Sequence, residues 1–299
     1  MSTFSSESAL PTEQQTATKL LWLDLTRKCQ LACHQCYNAS GPEGTHGSMS
    51  RENWLNVAEQ AAASGVERVQ LIGGEPTMHP HFAELVDHAL SVGLHVEVYS
   101  NLVHVSKECW EVFRRKGLSL ATSYYSDTAE QHNAVTGRPS HARTRGNIER
   151  AVALGIPLRV GIVDGGNGQR VDEARDDLEA MGISRISVDH VRPFGRGSQG
   201  EAPNCSGLCG RCGNGRAVVG PTGEVAPCVF STWLGVGNIQ DAPLASILNG
   251  TAMSEAAKSI RRAVGRGGDE DDDNSGSCGP VGDGECSPGF PSSSCSPRS

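Results

Sequence analysis

Short apolar runs alternate with amphipathic segments between residues 20 and 191, and this alternation limits the fold more than any other feature of the chain. The apolar runs cover residues 20–25, 66–72, 95–99, 118–123, 157–163 and 186–191, each of buried-strand length. Apolar residues recur at helical spacing over residues 51–64, 81–92, 106–116, 141–154 and 171–181. Ser50 is the expected N-cap of the first helix, and Gly65, Gly93, Gly155 and Gly182 are stop signals. Six strands separated by five helices predict a parallel sheet with helices outside it. Six units are too few for a closed eight-stranded barrel, so the expected fold class is α/β, an open partial (β/α)6 barrel. Such folds gather their chemistry at the carboxyl ends of the strands. A cysteine-rich loop (residues 29–36), Gly73 to Pro76, and Ser100 with Asn101 all fall there.

Four stretches are expected. Residues 1–19 are a flexible polar lead, and residues 20–200 form the barrel. Residues 201–262 form a small cysteine-rich domain, with a helix over 244–262, and residues 263–299 are a low-complexity tail. The lead lacks the charged start and apolar middle of a signal peptide, and no apolar run approaches membrane-spanning length. A cytoplasmic protein is therefore expected. The net charge of −8 argues against nucleic acid and anionic membrane as partners. Eleven cysteines in such a chain point to metal or redox chemistry before structural disulfides. Cys109 sits in an amphipathic pattern with Trp110, Val112 and Phe113 and reads as a small buried apolar residue. His34, His79, His81 and His132, the last expected in a turn, receive no role.

Cys29-x3-Cys33-x2-Cys36 supplies three thiolates from one tight loop. Iron–sulfur clusters are usually held by four. Three leave one iron open to a further ligand. A zinc site is the alternative, although zinc more often uses paired CxxC knuckles. The run CQLACHQCYN after a first strand, with GGEP after the second, closely resembles the radical S-adenosylmethionine (SAM) superfamily over about residues 20–200. The resemblance implies that Cys29, Cys33 and Cys36 hold a 4Fe–4S cluster whose fourth iron is chelated by SAM. It implies reductive cleavage of SAM to a 5′-deoxyadenosyl radical, which takes a hydrogen atom from substrate. Gly73, Gly74, Glu75 and Pro76 match the motif that contacts the SAM amino group; Glu75 also reads as a helix-start or surface charge. Ser100, Asn101 and Ser123 match polar strand-end contacts near the ribose, and strand capping is the alternative for each. Arg192 matches the segment lining the adenine and carboxylate side; Arg192 and Arg196 also read as surface charges. One position departs from the pattern. Gln35 stands where many members carry an aromatic residue, and Tyr37 follows the third cysteine.

Cys205-x3-Cys209-x2-Cys212, with Cys228 beyond, is a second thiolate-rich stretch. It resembles the first half of a SPASM domain, or its shorter twitch form. That implies one auxiliary 4Fe–4S cluster held by Cys212 and Cys228, then Cys209 and Cys205, with Cys278, Cys286 or Cys295 as candidates to complete it. A zinc ribbon on Cys205, Cys209, Cys212 and Cys228 is the alternative. Enzymes of this resemblance modify ribosomally made precursor peptides by cross-linking or epimerisation in natural-product biosynthesis. A second reading is radical dehydrogenation or decarboxylation of a sugar, aminocyclitol or nucleoside. A third is a non-catalytic iron–sulfur protein. The expected electron donor is a flavodoxin or ferredoxin.

Overall fold

A computed structural model describes residues 17–166 and 168–265. The first two thirds of the chain alternate as their periodicity predicts. Strands β1 (Leu20–Asp24), β2 (Arg68–Ile72), β3 (His95–Tyr99), β4 (Leu118–Tyr124), β5 (Leu158–Asp164) and β6 (Ile186–His190) pair in parallel, each with its sequence neighbour. Helices α1 (Arg51–Ala63), α2 (Phe82–Ser91), α3 (Lys107–Phe113), α4 (Ala129–Thr136), α5 (His141–Ala153) and α6 (Val171–Ala180) cross over between them. Ser50 caps α1 as predicted: its side chain accepts from the Asn53 backbone N–H, and the Asn53 side chain accepts in return from the Ser50 N–H.

Helix α4 is an addition to the sequence reading, which placed His132 in a turn. Its apolar signal is weak because only two of its side chains, His132 and Thr136, are buried, and both are polar. The predicted helix over 244–262 is two helices, α7 (Leu244–Leu248) and α8 (Thr251–Gly265). Asn249-Gly250 breaks it; a Cβ at Gly250 would sit 2.9 Å from the Ser246 carbonyl oxygen.

The cysteine-rich segment adds to the same sheet. Its strand β7 (Arg216–Val219) pairs in parallel with β1, and β8 (Glu224–Ala226) and β9 (Gly237–Asn238) follow antiparallel. The nine strands run β6-β5-β4-β3-β2-β1-β7-β8-β9. The partial barrel and the smaller unit thus share a ladder, which fixes the second cysteine group relative to the first.

The helices bury one apolar layer against the outer face of the sheet, including Trp54, Val57, Phe82, Val86, Ile148 and Leu178. Cys109 is half-buried against this layer. The inner face is different. Trp22, Gln70 and Glu97 stand in register on β1, β2 and β3, and all are buried. The Trp22 indole donates to Gln70 Oε1 at 2.7 Å, and the Gln70 amide donates to Glu97. Arg159 on β5 closes the chain with two hydrogen bonds to the Glu97 carboxylate, at 2.7 and 2.5 Å. A buried ion pair therefore bridges β3 and β5 across β4. Among the described residues no helix is long and apolar enough to cross a membrane.

Candidate active site

One cavity of about 1050 Å³, counted with its open mouth, lies at the carboxyl ends of the strands. The loop after β1 makes one wall and brings Cys29, Cys33 and Cys36 to it. This loop is irregular, so its shape is held by bonds to its neighbours. The Cys29 N–H donates to Gly41 O at 3.0 Å. The Ala32 and His34 N–H groups donate to the Thr136 and Val135 carbonyls of α4, both at 3.0 Å. The missed helix is thus the backing of the cysteine loop.

The glycines after β2 form a ledge beneath it. Gly73 has φ +149°, and a Cβ there would meet Thr26 O at 2.6 Å. A Cβ at Gly74 would collide with the Lys28 carbonyl and come within 2.9 Å of Cys29 Cβ. Only glycine allows the backbone this close to the loop. Asn101 completes the support: its amide Nδ2 lies 3.6 Å from Cys29 Sγ, in position to donate to the sulfur. Asn38 donates to Gly73 O at 3.2 Å and accepts from Cys36 Sγ at 3.0 Å.

Of the residues singled out in the sequence, Cys29, Cys33, Cys36, Gly73, Gly74, Asn101, Ser123 and Arg192 line the cavity. Glu75, Pro76 and Ser100 are buried and are not among its lining residues. Glu75 caps the turn Pro76–Met78, accepting from the Thr77 N–H at 3.2 Å and hydroxyl at 2.7 Å. Its other oxygen accepts from the Asn101 N–H at 2.8 Å. It therefore ties the end of β2 to the end of β3. Arg192 is paired with Asp189 at 2.9 Å, and its guanidinium lies 5.9 Å from the Phe230 ring centre.

The structure adds wall residues that the motifs did not single out. Tyr99 and Tyr125 both bond Ser123, the former at 3.0 Å. Burial pushes both phenols above their usual range. His132 is 1% exposed with Nδ1 unpartnered, and burial lowers it to about 3, so it is neutral. The only sequence trace of Tyr99 and Tyr125 is their place at or just after strand ends, and His132 lies within α4. Phe230, two residues beyond Cys228, enters the wall only because β7 and β8 lie beside β1.

The donors fit a thiolate-bound cluster with a further ligand. Burial first, then the neighbouring Glu75 carboxylate, pushes the Cys29 thiol up to about 12. Burial, then the neighbouring Cys36, does the same to Cys33. Bare thiolates are disfavoured there, and a bound metal would stabilise them, with release of their protons. Gln35 Nε2 faces the same cavity, buried and without a hydrogen-bond partner. It offers a donor where an aromatic residue is more usual.

In the second stretch the structure brings Cys209, Cys212 and Cys228 together. The Cys212 thiol is hydrogen-bonded with both of the others, which, with burial, holds it far above the usual thiol range. Cys205 lies in the turn before them, half-buried against the same apolar cluster as Cys212 and Cys228. Cys278, Cys286 and Cys295 lie outside the described residues.

The family model of the radical SAM superfamily matches residues 23–181, and that of SPASM, an iron–sulfur cluster-binding domain, matches residues 209–279. The chain is 27% identical over 180 residues to a PqqA peptide cyclase of Methylocella silvestris, covering 59% of this chain and 48% of that protein. It is 27% identical over 262 residues to the antilisterial bacteriocin subtilosin biosynthesis protein AlbA of Bacillus subtilis, covering 76% and 58%. The chain thus spans about half the length of the curated relatives it matches. Its fold is similar to that of Streptococcus suis SuiB, solved with the precursor peptide SuiA: TM-score 0.69 at 16% identity, covering 82% of this chain and 67% of that one. The radical SAM domain implies a 4Fe–4S cluster with SAM, and the SPASM domain implies auxiliary iron–sulfur binding. With half of the chain matched by its family model and the three cysteines gathered on one cavity, this protein belongs to the radical SAM superfamily and carries a SPASM domain.

Proposed function

We propose that the chain modifies a ribosomally made precursor peptide, by cross-linking or epimerisation, after taking a hydrogen atom from it. The observation that carries this reading is the convergence of Cys29, Cys33 and Cys36 with the Gly73-Gly74 ledge on one open cavity. When bound, the cluster and SAM supply the reductive cleavage and the hydrogen-abstracting species. The protein's own residues bind and orient. Cys29, Cys33 and Cys36 hold iron. Asn101 aims its amide at the Cys29 sulfur. Glu75 locks two strand ends behind the site. Ser123 and Arg192 offer polar contacts to the nucleoside end of SAM. Cys209, Cys212 and Cys228, with Cys205 nearby, hold one auxiliary cluster. The barrel over 20–200 and the unit over 201–262 act together because they share a ladder.

The peptide substrate is supported by the relatives. One is named a peptide cyclase and another a bacteriocin biosynthesis protein, and the fold resembles that of SuiB, solved bound to the precursor peptide SuiA. A flavodoxin or ferredoxin would supply the electron.

The test uses anaerobically reconstituted protein with SAM and a strong reductant. 5′-Deoxyadenosine is expected to form, and a candidate precursor peptide is expected to lose mass or exchange a hydrogen. Turnover of a sugar, aminocyclitol or nucleoside in place of every peptide offered would overturn the peptide reading. Absence of deoxyadenosine would overturn the activity. Replacing Cys212 by alanine is expected to spare SAM cleavage and to abolish the modified product. Normal product from Cys212→Ala would reduce the auxiliary site to a structural part.

A further inference from the structure

The segment Phe194-Gly195-Arg196-Gly197, just after β6, enters a single 3-10 turn, Gly195–Ser198, that Phe194 precedes. It lies across the cysteine loop. The Arg196 N–H donates to Cys36 O at 2.9 Å. Its guanidinium donates through Nε to Cys33 O and through Nη2 to Ser40 O, both at 2.7 Å. One side chain therefore ties two points of the loop that are seven residues apart, and its backbone ties a third between them. The flanking glycines explain how it lies so near. Gly195 has φ +56°, and a Cβ there would collide with the Cys36 and Tyr37 carbonyls. A Cβ at Gly197 would sit 2.5 Å from Arg192 O and 3.4 Å from Gln35 O.

The other end of the segment faces the second thiol group. Phe194 is 4% exposed. Its ring stacks on Phe230 at 5.7 Å and on Trp233 at 5.2 Å, both just beyond Cys228. Phe230 meets Tyr37, the residue after Cys36, edge-on at 5.1 Å. Phe194, Cys212 and Cys228 belong to one buried apolar cluster. Four consecutive residues thus grip both thiol sites.

We propose that Phe194–Gly197 is a strap that couples the two iron-holding sites, with Arg196 as a positioning residue that latches the first cysteine loop and places a fixed positive charge beside Cys33. The charge does two things. Hydrogen bonds from a guanidinium stiffen the loop carbonyls more than neutral donors would. A cation at this range also favours the more negative, reduced form of a cluster. Lysine at this position carries the charge without the planar fork that reaches two carbonyls.

The inference rests on the reading of the first loop as a cluster site, and the measurement separates the two. Reconstituted protein is challenged anaerobically with an iron chelator, and the spectroscopic signal that SAM perturbs reports the first cluster. Arg196→Gln is expected to lose that cluster about tenfold faster or more, since two charge-assisted bonds are gone. Its reduction potential is expected to fall. Arg196→Lys is expected to recover the potential and only part of the retention. Phe194→Ala is expected to speed iron loss from both sites. If Arg196→Gln fails to fold, Arg196→Lys carries the retention test alone. Wild-type retention in both Arg196 variants, or an unchanged potential in Arg196→Gln, overturns the latch. Loss confined to one site in Phe194→Ala overturns the coupling. A wild-type chain that holds no iron at its first loop overturns the cluster reading itself.

Discussion

Replacing Cys29, Cys33 and Cys36 together by alanine is expected to remove about four of about eight irons per chain and to abolish SAM cleavage. The size of the effect follows from the geometry. The three thiols come from one loop and face one cavity, and the polar groups beside them support thiolates without substituting for them. Asn101 donates to the Cys29 sulfur, and Arg196 brings positive charge to Cys33. None of these groups ligates iron in the absence of the sulfurs. The fold is expected to survive, because the loop lies outside the buried layer of Trp54, Phe82, Ile148 and their neighbours. Iron analysis and deoxyadenosine assay check both halves. A triple variant that still cleaves SAM sinks the assignment of this loop.

The second large effect is on stability. Glu97→Ala is expected to destabilise the protein by about 3–5 kcal/mol, read as a shift of the unfolding midpoint. Glu97 and Arg159 are 3% and 1% exposed. Removing the carboxylate takes from the buried guanidinium the ion pair and the two hydrogen bonds it makes with Glu97. Gln70 loses its hydrogen bond to Glu97 in the same step. A domain of ordinary stability has about 5–15 kcal/mol in total, so the loss is a large share. The double change Glu97→Leu with Arg159→Met is expected to cost far less, because no buried charge is stranded. A Glu97→Ala protein within about 1 kcal/mol of wild type contradicts this account.

The pH dependence has a definite sign. Burial alone would raise the Glu97 carboxyl, but the hydrogen bonds and charge of Arg159 outweigh it and hold Glu97 below the usual carboxylate range. A depressed carboxyl contributes its full stability above the pKa it has in the unfolded chain. That contribution is lost as pH falls through the lowered folded value. Stability between pH 6 and 8 is therefore expected to be insensitive to this group, and Glu97→Gln should flatten the acid limb.

The strands and the loop motif were legible because their signals are local. A strand such as Leu20–Asp24 is short, apolar and bounded by polar residues, and the spacing Cys29-x3-Cys33-x2-Cys36 needs no partner to be recognised. Capping at Ser50 was legible for the same reason. Helix α4 was not, since its two buried side chains, His132 and Thr136, are polar. Nor was the inward ladder of Trp22, Gln70, Glu97 and Arg159. Each member reads as an ordinary strand residue until register sets them opposite one another. Glu75 reads in the sequence as a ligand contact, a helix-start charge or a surface charge; it is 1% exposed, which rules out the last, and it caps the short helix Pro76–Met78 through Thr77 while also bonding Asn101.

The sequence alone determined the alternation that makes a parallel sheet, the loop that carries three thiols, and the placement of that loop at strand ends. Local periodicity and ligand spacing are properties of neighbours along the chain. Tertiary structure decided what surrounds the loop. Strand β7 pairs with β1 and so carries Phe230 into the cavity wall. Arg196, more than 150 positions along the chain, reaches back to Cys33 and Ser40. Those contacts depend on register and on a glycine-permitted close approach between distant segments, and no local pattern encodes either.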